Sequence, residues 1–348
     1  MTATPKHSLM ACLLLLAAAA VLFVLNLLLG TVDIPLPFIV STLLGRTADV
    51  DAGTHAVVWT NIIIQSRLPQ TLTALLAGAG LSVSGLQMQT VFRNPLAGPS
   101  VLGISNGASL GVALVVLLSG QIGGVVLSRM GLAGDAAITL AAVAGALAVM
   151  GLIVAVAQRV SGNAALLIIG VMTGYMATAV IGVLKFFSAE EDVKAYVVWG
   201  LGSFSRVSGQ RVVLFAVLMG LLLPLSMLLI KRMNLLLLGD AYARNLGLDI
   251  RRARTEVIAA SGILSAVVTA FCGPIMFMGL AVPHLARALF RTTDHRVLMP
   301  ATLLIGANFS LLCNIIARMP GFEGALPVNS VTALVGAPII AMVIYSRS

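Results

Sequence analysis

Residues 136–157 read AAITLAAVAGALAVMGLIVAVA, 22 positions without one charged side chain. Coiled as a helix rising about 1.5 Å per residue, such a run crosses a hydrocarbon core of roughly 30 Å. Nine more apolar stretches flank it, at about 9–29, 68–91, 101–119, 164–184, 211–230, 255–275, 277–290, 296–317 and 327–345. The stretch at 277–290 is short for a full crossing. Transmembrane barrels alternate apolar and polar positions, and these runs do not, so a barrel is excluded. The expectation is an all-α polytopic membrane protein of about ten spans, forming one transmembrane domain over 1–348.

Composition agrees. Apolar residues make up 59% of the 348 and charged residues only 9%, against roughly 25% in soluble domains. Mean hydropathy is +1.06 and aromatics reach just 5%. A soluble fold of this length needs a polar shell that so few charges cannot supply, which excludes a soluble enzyme, a disordered chain and a disulfide scaffold. Cys12, Cys272 and Cys313 are dispersed, with no metal-ligand spacing, and read as small core residues. The run Leu9–Leu29 follows Lys6 and His7, exceeds a signal-peptide core and lacks a small-residue cleavage site. It reads as the first span, N-terminus inside. Gly30–Ser66, with Asp33, Asp49 and Asp51, reads as an external loop with some amphipathic helix.

The net charge of +9 would suggest nucleic acid in a soluble protein. In ten spans with both termini inside, 13 of the 21 bases and four of the 12 acids fall on the cytoplasmic side. The whole surplus then lies inside, as the positive-inside rule requires; no nucleic-acid partner is implied. Residues 67–200 and 251–348 each hold four spans and enter from opposite sides. This is the pattern of an inverted repeat, with a substrate path between the halves.

Several strings interrupt the spans. Arg67-Leu68-Pro69-Gln70 opens the second, which continues as AGAGLSVSGLQMQ over 77–89, small residues that let helices approach closely. FRNPLAGP at 92–99 places Asn94, Pro95, Gly98 and Pro99 where a continuous helix is forbidden, and LGISNGA follows at 102–108. GPIMFMGLAVPHLAR at 273–287 brings Gly279, Pro283 and His284 to a second break. These read as a structural turn or gate, or as tight packing alone. The cluster Glu190-Glu191-Asp192 reads as a solvated face. The longest polar break is KRMNLLLLGDAYARNLGLDIRRAR at 231–254. It fits short helices on the cytoplasmic face, docking a partner or lying on lipid headgroups. Its Gly–Ala texture favours a protein cleft.

Together with DHR at 294–296, NIIAR at 314–318 and LPVNSVTALVGAP at 326–338, these strings resemble the FecCD-type permeases of ABC importers for iron siderophores, haem and cobalamin. The resemblance covers about four-fifths of the chain. It implies a BtuC-like permease fold of ten helices in the bacterial inner membrane, working as a homodimer. Two cytoplasmic ATPase subunits would bind the coupling helices, here Leu238, Gly239, Asp240, Ala241, Ala243, Arg244, Leu246, Gly247 and Leu248. ATP and Mg would be held by those subunits, leaving this chain no cofactor, no metal and no catalytic residue; no GxxxxGK[ST] string occurs. An external binding protein would dock on Arg67, Gln70 and Arg318, unless the arginines are interface anchors. Gln70 stands where the family commonly has a second Arg, and Asn314 where Asp is usual, which would leave Arg318 free for an acidic partner. Helix 164–184 and residues 190–206 would line the pathway. A ferric chelate or haem is the expected cargo, with cobalamin as the alternative. An ion-coupled secondary transporter is the alternative of another class, but it needs intramembrane charges that these spans scarcely offer. An intramembrane enzyme would need paired polar residues at membrane depth, and none stand out.

Overall fold

The computed structural model describes residues 5–30, 32–45, 55–123, 132–159, 163–319 and 325–345. Asp49 and Asp51 lie outside them. In chain order the helices are α1 (Pro5–Leu28), α2 (Leu36–Leu43), α3 (Ala56–Asn61), a π stretch (Ile62–Arg67), α4 (Leu68–Phe92), α5 (Ile104–Gly123), α6 (Leu132–Arg159) and α7 (Asn163–Phe187). There follow α8 (Glu190–Gly200), α9 (Gln210–Met227), α10 (Ile230–Leu237), α11 (Asp240–Asn245), α12 (Ile250–Cys272), α13 (Met278–Phe290), α14 (His295–Ala317) and α15 (Val328–Tyr345). Each of the ten expected spans is a helix. Among the described residues, seven are long and apolar enough to cross a membrane, and shorter apolar stretches lie at Ile104–Leu118, Met278–Phe290 and Val328–Met342.

The most apolar spans sit outermost. Only 17%, 22% and 28% of the spanning windows of α1, α6 and α7 are buried, against 83%, 67% and 61% for the less apolar windows of α4, α12 and α14. Lipid selects apolar side chains on the rim, whereas helices in the middle need small and hydrogen-bonding ones. The bundle is therefore built around α4. A Cβ on Gly78 would fall 2.3 Å from the Gly306 carbonyl oxygen of α14, and one on Gly85 would fall 1.8 Å from that of Gly279 on α13. Only hydrogen side chains permit these two crossings.

The two halves pack alike. α4 lies on α14 as α12 lies on α6, while α5 packs on α6 and α7 as α13 packs on α14 and α15. Where α4 meets α12, the Ser84 and Ser261 hydroxyls stand 2.7 Å apart, and each donates to the other's backbone carbonyl at 2.8 Å. Such reciprocity is what a local two-fold axis produces. A Gly-Pro pair precedes the second helix of both halves, Gly98-Pro99 before α5 and Gly273-Pro274 before α13.

The 13 residues of α13 extend about 20 Å, short of a crossing. Gly273 at φ +80 ends α12, and the chain runs non-helically to Phe277 at φ +68 before α13 begins. Irregular backbone is tolerated at this depth only inside protein; here Ser203 donates to the Cys272 carbonyl, and the Met276 N–H reaches Asn329 Oδ1 at 3.0 Å. One expectation needs correction. Asp192, read as part of a solvated acidic face, is 4% exposed. It lies in the first turn of α8, where carboxylates complement the free backbone N–H groups.

Gly78→Val should abolish the folded, monodisperse protein in detergent, because backbone cannot retreat from its Cβ. Gly220→Ala, with open space around the new methyl, should keep the fold and gain about 0.5–1 kcal/mol from helix propensity. Size-exclusion profiles and thermal melts of the two variants check this.

Candidate functional site

Helix ends collect the polar groups on two opposite faces. On one lies the segment from α10 to the start of α12. Gly239 at φ +100 and Gly247 at φ +81 make its two sharp turns, and Asp249 caps α12 by accepting from the Arg252 N–H at 3.0 Å. Met233, Leu236 and Ala243 are buried and root the segment. Asp240 is gripped from two helices, by Arg93 at 2.6 Å and Arg254 at 2.8 Å. Arg93, in the left-handed conformation that ends α4, also holds the Leu236 carbonyl at 2.9 Å. Of the expected coupling residues, Leu238, Ala241, Arg244, Leu246 and Gly247 are exposed, Gly239, Asp240 and Leu248 half-buried, and Ala243 buried. Tyr242 is 71% exposed and was not among them; a lone aromatic amid small residues was its signal. With Leu238 and Leu246 it forms an apolar surface at the tip of a braced segment.

The turn residues come together nearby. The Asn94 side chain accepts from the Leu96 N–H at 2.9 Å, closing the turn before Gly98 and Pro99. His284 reaches the Pro95 carbonyl at 2.8 Å, which ties α13 to that turn. Gly279 would meet Pro99 at 3.1 Å through a Cβ, and Pro283 is buried inside α13. A pocket of about 160 Å³ opens between the two breaks, lined by Leu81, Pro99, Ser265, Phe277, Gly279 and Leu280 among others. Asp294, the cap of α14, accepts from the Arg296 N–H at 2.9 Å. That bond above all holds its carboxyl below the usual range.

The opposite face departs from expectation. Arg67 is 2% exposed, and its guanidinium donates to the carbonyls of Leu27 at 2.7 Å, Leu28 at 2.8 Å and Val32. It caps the end of α1, where carbonyls have no helical partner, and is neither a surface contact nor a snorkelling anchor. Gln70, 6% exposed, donates to Asn314 Oδ1 at 3.0 Å. Asn314 in turn donates to Asn26 Oδ1 at 2.8 Å, and Asn26 to the carbonyls of Leu22 and Leu311 at 2.8 and 3.1 Å. The two positions that depart from the family pattern thus face one another, as links in a buried amide ladder joining α4, α14 and α1. Arg318 alone of the three expected docking residues keeps part of its surface. It lies past the end of α14, reaching the Asn26 carbonyl at 3.4 Å, and burial, then nearby Arg67, lowers its pKa.

Two similarly packed halves enclose the half-helix α13, and a braced segment joins the sixth and seventh spans. The model of the FecCD transport family matches residues 16–346. The chain belongs to that family. It is 39% identical over 275 residues to the vitamin B12 import system permease protein BtuC of Escherichia coli O6:H1 (strain CFT073), covering 79% of this chain and 81% of the relative. The same figures hold for BtuC of Shigella boydii serotype 18. A solved structure described as an inward-facing ABC transporter of metal-chelate type superposes with a TM-score of 0.80 at 29% identity, over 99% of this chain and all of the other. The FecCD chain is therefore a multi-pass inner-membrane permease subunit of an ABC importer, and ATP hydrolysis belongs to a separate subunit. Ion-coupled secondary transport is set aside by the same findings.

Asn314 is wholly buried, so Asn314→Asp should destabilise the protein by about 3 kcal/mol or more through an unpaired buried carboxylate. Adding Gln70→Arg should recover most of that loss. Melting temperatures of the two single variants and the double variant test the pairing, and additive losses would refute it.

Proposed function

We propose that this permease imports cobalamin, as a homodimer served by two ATPase subunits and an external substrate-binding protein. The observation that carries the substrate is its likeness to vitamin B12 import permeases, 39% identical over 79% of the chain. That likeness favours cobalamin over the ferric siderophore or haem expected from the motifs. A metal chelate is the second reading, supported by the 29% identical structure of that description.

The face bearing residues 231–254 is taken as cytoplasmic because it carries the basic surplus. On it, Leu238, Tyr242 and Leu246 offer the ATPase an apolar tip, and that partner holds ATP and Mg. On the external face Arg318 is the docking cation, where an acidic contact would set orientation and on-rate. Arg67 and Gln70 support it from behind. The exposed side of α7, with Met172, Tyr175 and Met176, faces the second copy or the cargo. ATP binding and binding-protein release then favour different states of the same helices, a population shift driven by differential contact.

Proteoliposomes holding the permease, its ATPase and its binding protein should hydrolyse ATP faster and accumulate substrate when offered cobalamin. Ferric siderophore and haem should give neither response. Stimulation by a ferric chelate alone would replace the cobalamin reading. In the same system Tyr242→Glu should release the ATPase on size-exclusion chromatography, while Arg318→Glu should weaken binding-protein affinity roughly tenfold or more, as for loss of a charge pair at an interface.

A further inference from the structure

The segment that faces the ATPase must pass its displacement to the membrane helices, and its contacts differ in stiffness. The Arg93–Asp240 pair is more than a third exposed on both sides; Arg254–Asp240 is partly exposed too. Solvated pairs of this kind contribute little and exchange readily with water. Buried Met233 and Leu236 supply adhesion, but apolar contact is non-directional and does not fix register. Arg93 also holds the Leu236 carbonyl, but through a guanidinium more than a third exposed and from α4 alone; another connection is both buried and directional. His295, first residue of α14, is 1% exposed. Its Nδ1 lies 2.7 Å from Asn234 Oδ1 on α10, and its Nε2 lies 2.8 Å from the Thr90 hydroxyl on α4. The His295 backbone N–H also donates to Asn234 Oδ1, at 2.9 Å. Asn234 Nδ2 donates to Asp294 Oδ1 at 2.7 Å, which fixes which way the amide points. Asn234 Oδ1 therefore accepts and His295 Nδ1 donates, while the single Thr90 proton, also within 2.8 Å of the Leu86 carbonyl, serves either that carbonyl or His295 Nε2.

We infer that His295 is a positioning residue for transport, the rigid link by which α10 moves α4 and α14 together. α4 and α14 touch backbone to backbone at Gly78 and Gly306, so a displacement received at their shared end is carried along both. The inference rests on the proposed docking of an ATPase to residues 230–248, and it assigns a role to the Asp-His-Arg string at 294–296 that docking does not use.

Thr90→Val removes the hydroxyl at nearly constant volume, while Thr90→Ser retains it. His295→Gln keeps a polar group near the Nε2 position and gives up the side-chain bond to Asn234, leaving the backbone one. In the reconstituted importer, Thr90→Val and His295→Gln should assemble with the ATPase and hydrolyse ATP within about twofold of wild type. Substrate uptake should fall roughly three- to tenfold, the factor expected from one lost buried hydrogen bond. The ATP used per substrate should rise by the same factor, and Thr90→Ser should restore it. Uptake unchanged in both variants would overturn the inference, as would uptake and hydrolysis falling in proportion, the mark of a merely structural residue. If the wild-type chain does not assemble with an ATPase, the docking reading fails instead, which separates the two.

Discussion

Helices in lipid gain nothing from the hydrophobic effect by touching one another, because the tails around them are equally apolar. What draws them together is contact at close range and hydrogen bonds that have no water to compete with. The crossings of α4 with α13 and α14, where a single methyl would collide with backbone, supply the first. The Ser84–Ser261 exchange and the Gln70–Asn314–Asn26 ladder supply the second. Everything positioned by α4 depends on these contacts: the turn at Asn94, the half-helix α13, and the braced segment between α10 and α12.

The spans were readable because a bilayer imposes a length, and a length survives in the one-dimensional pattern. So were the breaks, since Pro and Gly announce them locally. The short run at 277–290 even disclosed that α13 is too short to cross the core as helix alone. Side-chain destinations were less legible. Arg67 reads as an external cation, and nothing adjacent to it reveals that the last carbonyls of α1, some forty positions earlier, consume its guanidinium. Gln70 and Asn314 look like unrelated departures, and only the approach of α4 to α14 makes them one pair. Asp192 sits in an acidic run that reads as a solvated face, and neither its place in the first turn of α8 nor its burial is written locally. Local chemistry was written in the sequence, while partners at long separation were created by packing.

The two faces differ in kind. The segment around α11 is rooted by buried Ala243, and its outward side chains include apolar Leu238, Tyr242 and Leu246 beside Arg244, as suits a surface awaiting a partner. The opposite face turns its polar groups inward, spending Arg67 on helix capping and leaving Arg318 half-buried. An apolar tip on one face and a half-buried cation on the other suit the two proposed partners, an ATPase and a binding protein.

The amide ladder has an electrical consequence. Moving one elementary charge through a membrane potential involves about 2.3 kcal/mol per 100 mV, so an ion pair joining α4 to α14 would tie their relative motion to voltage. Gln70, Asn314 and Asn26 hold the same helices with neutral dipoles. The ladder itself carries no net charge, so the charges that move with this seam are the arginines at its end, Arg67 and Arg318. Any voltage dependence of that motion would then be lost with Arg67 and Arg318, and not with the amides.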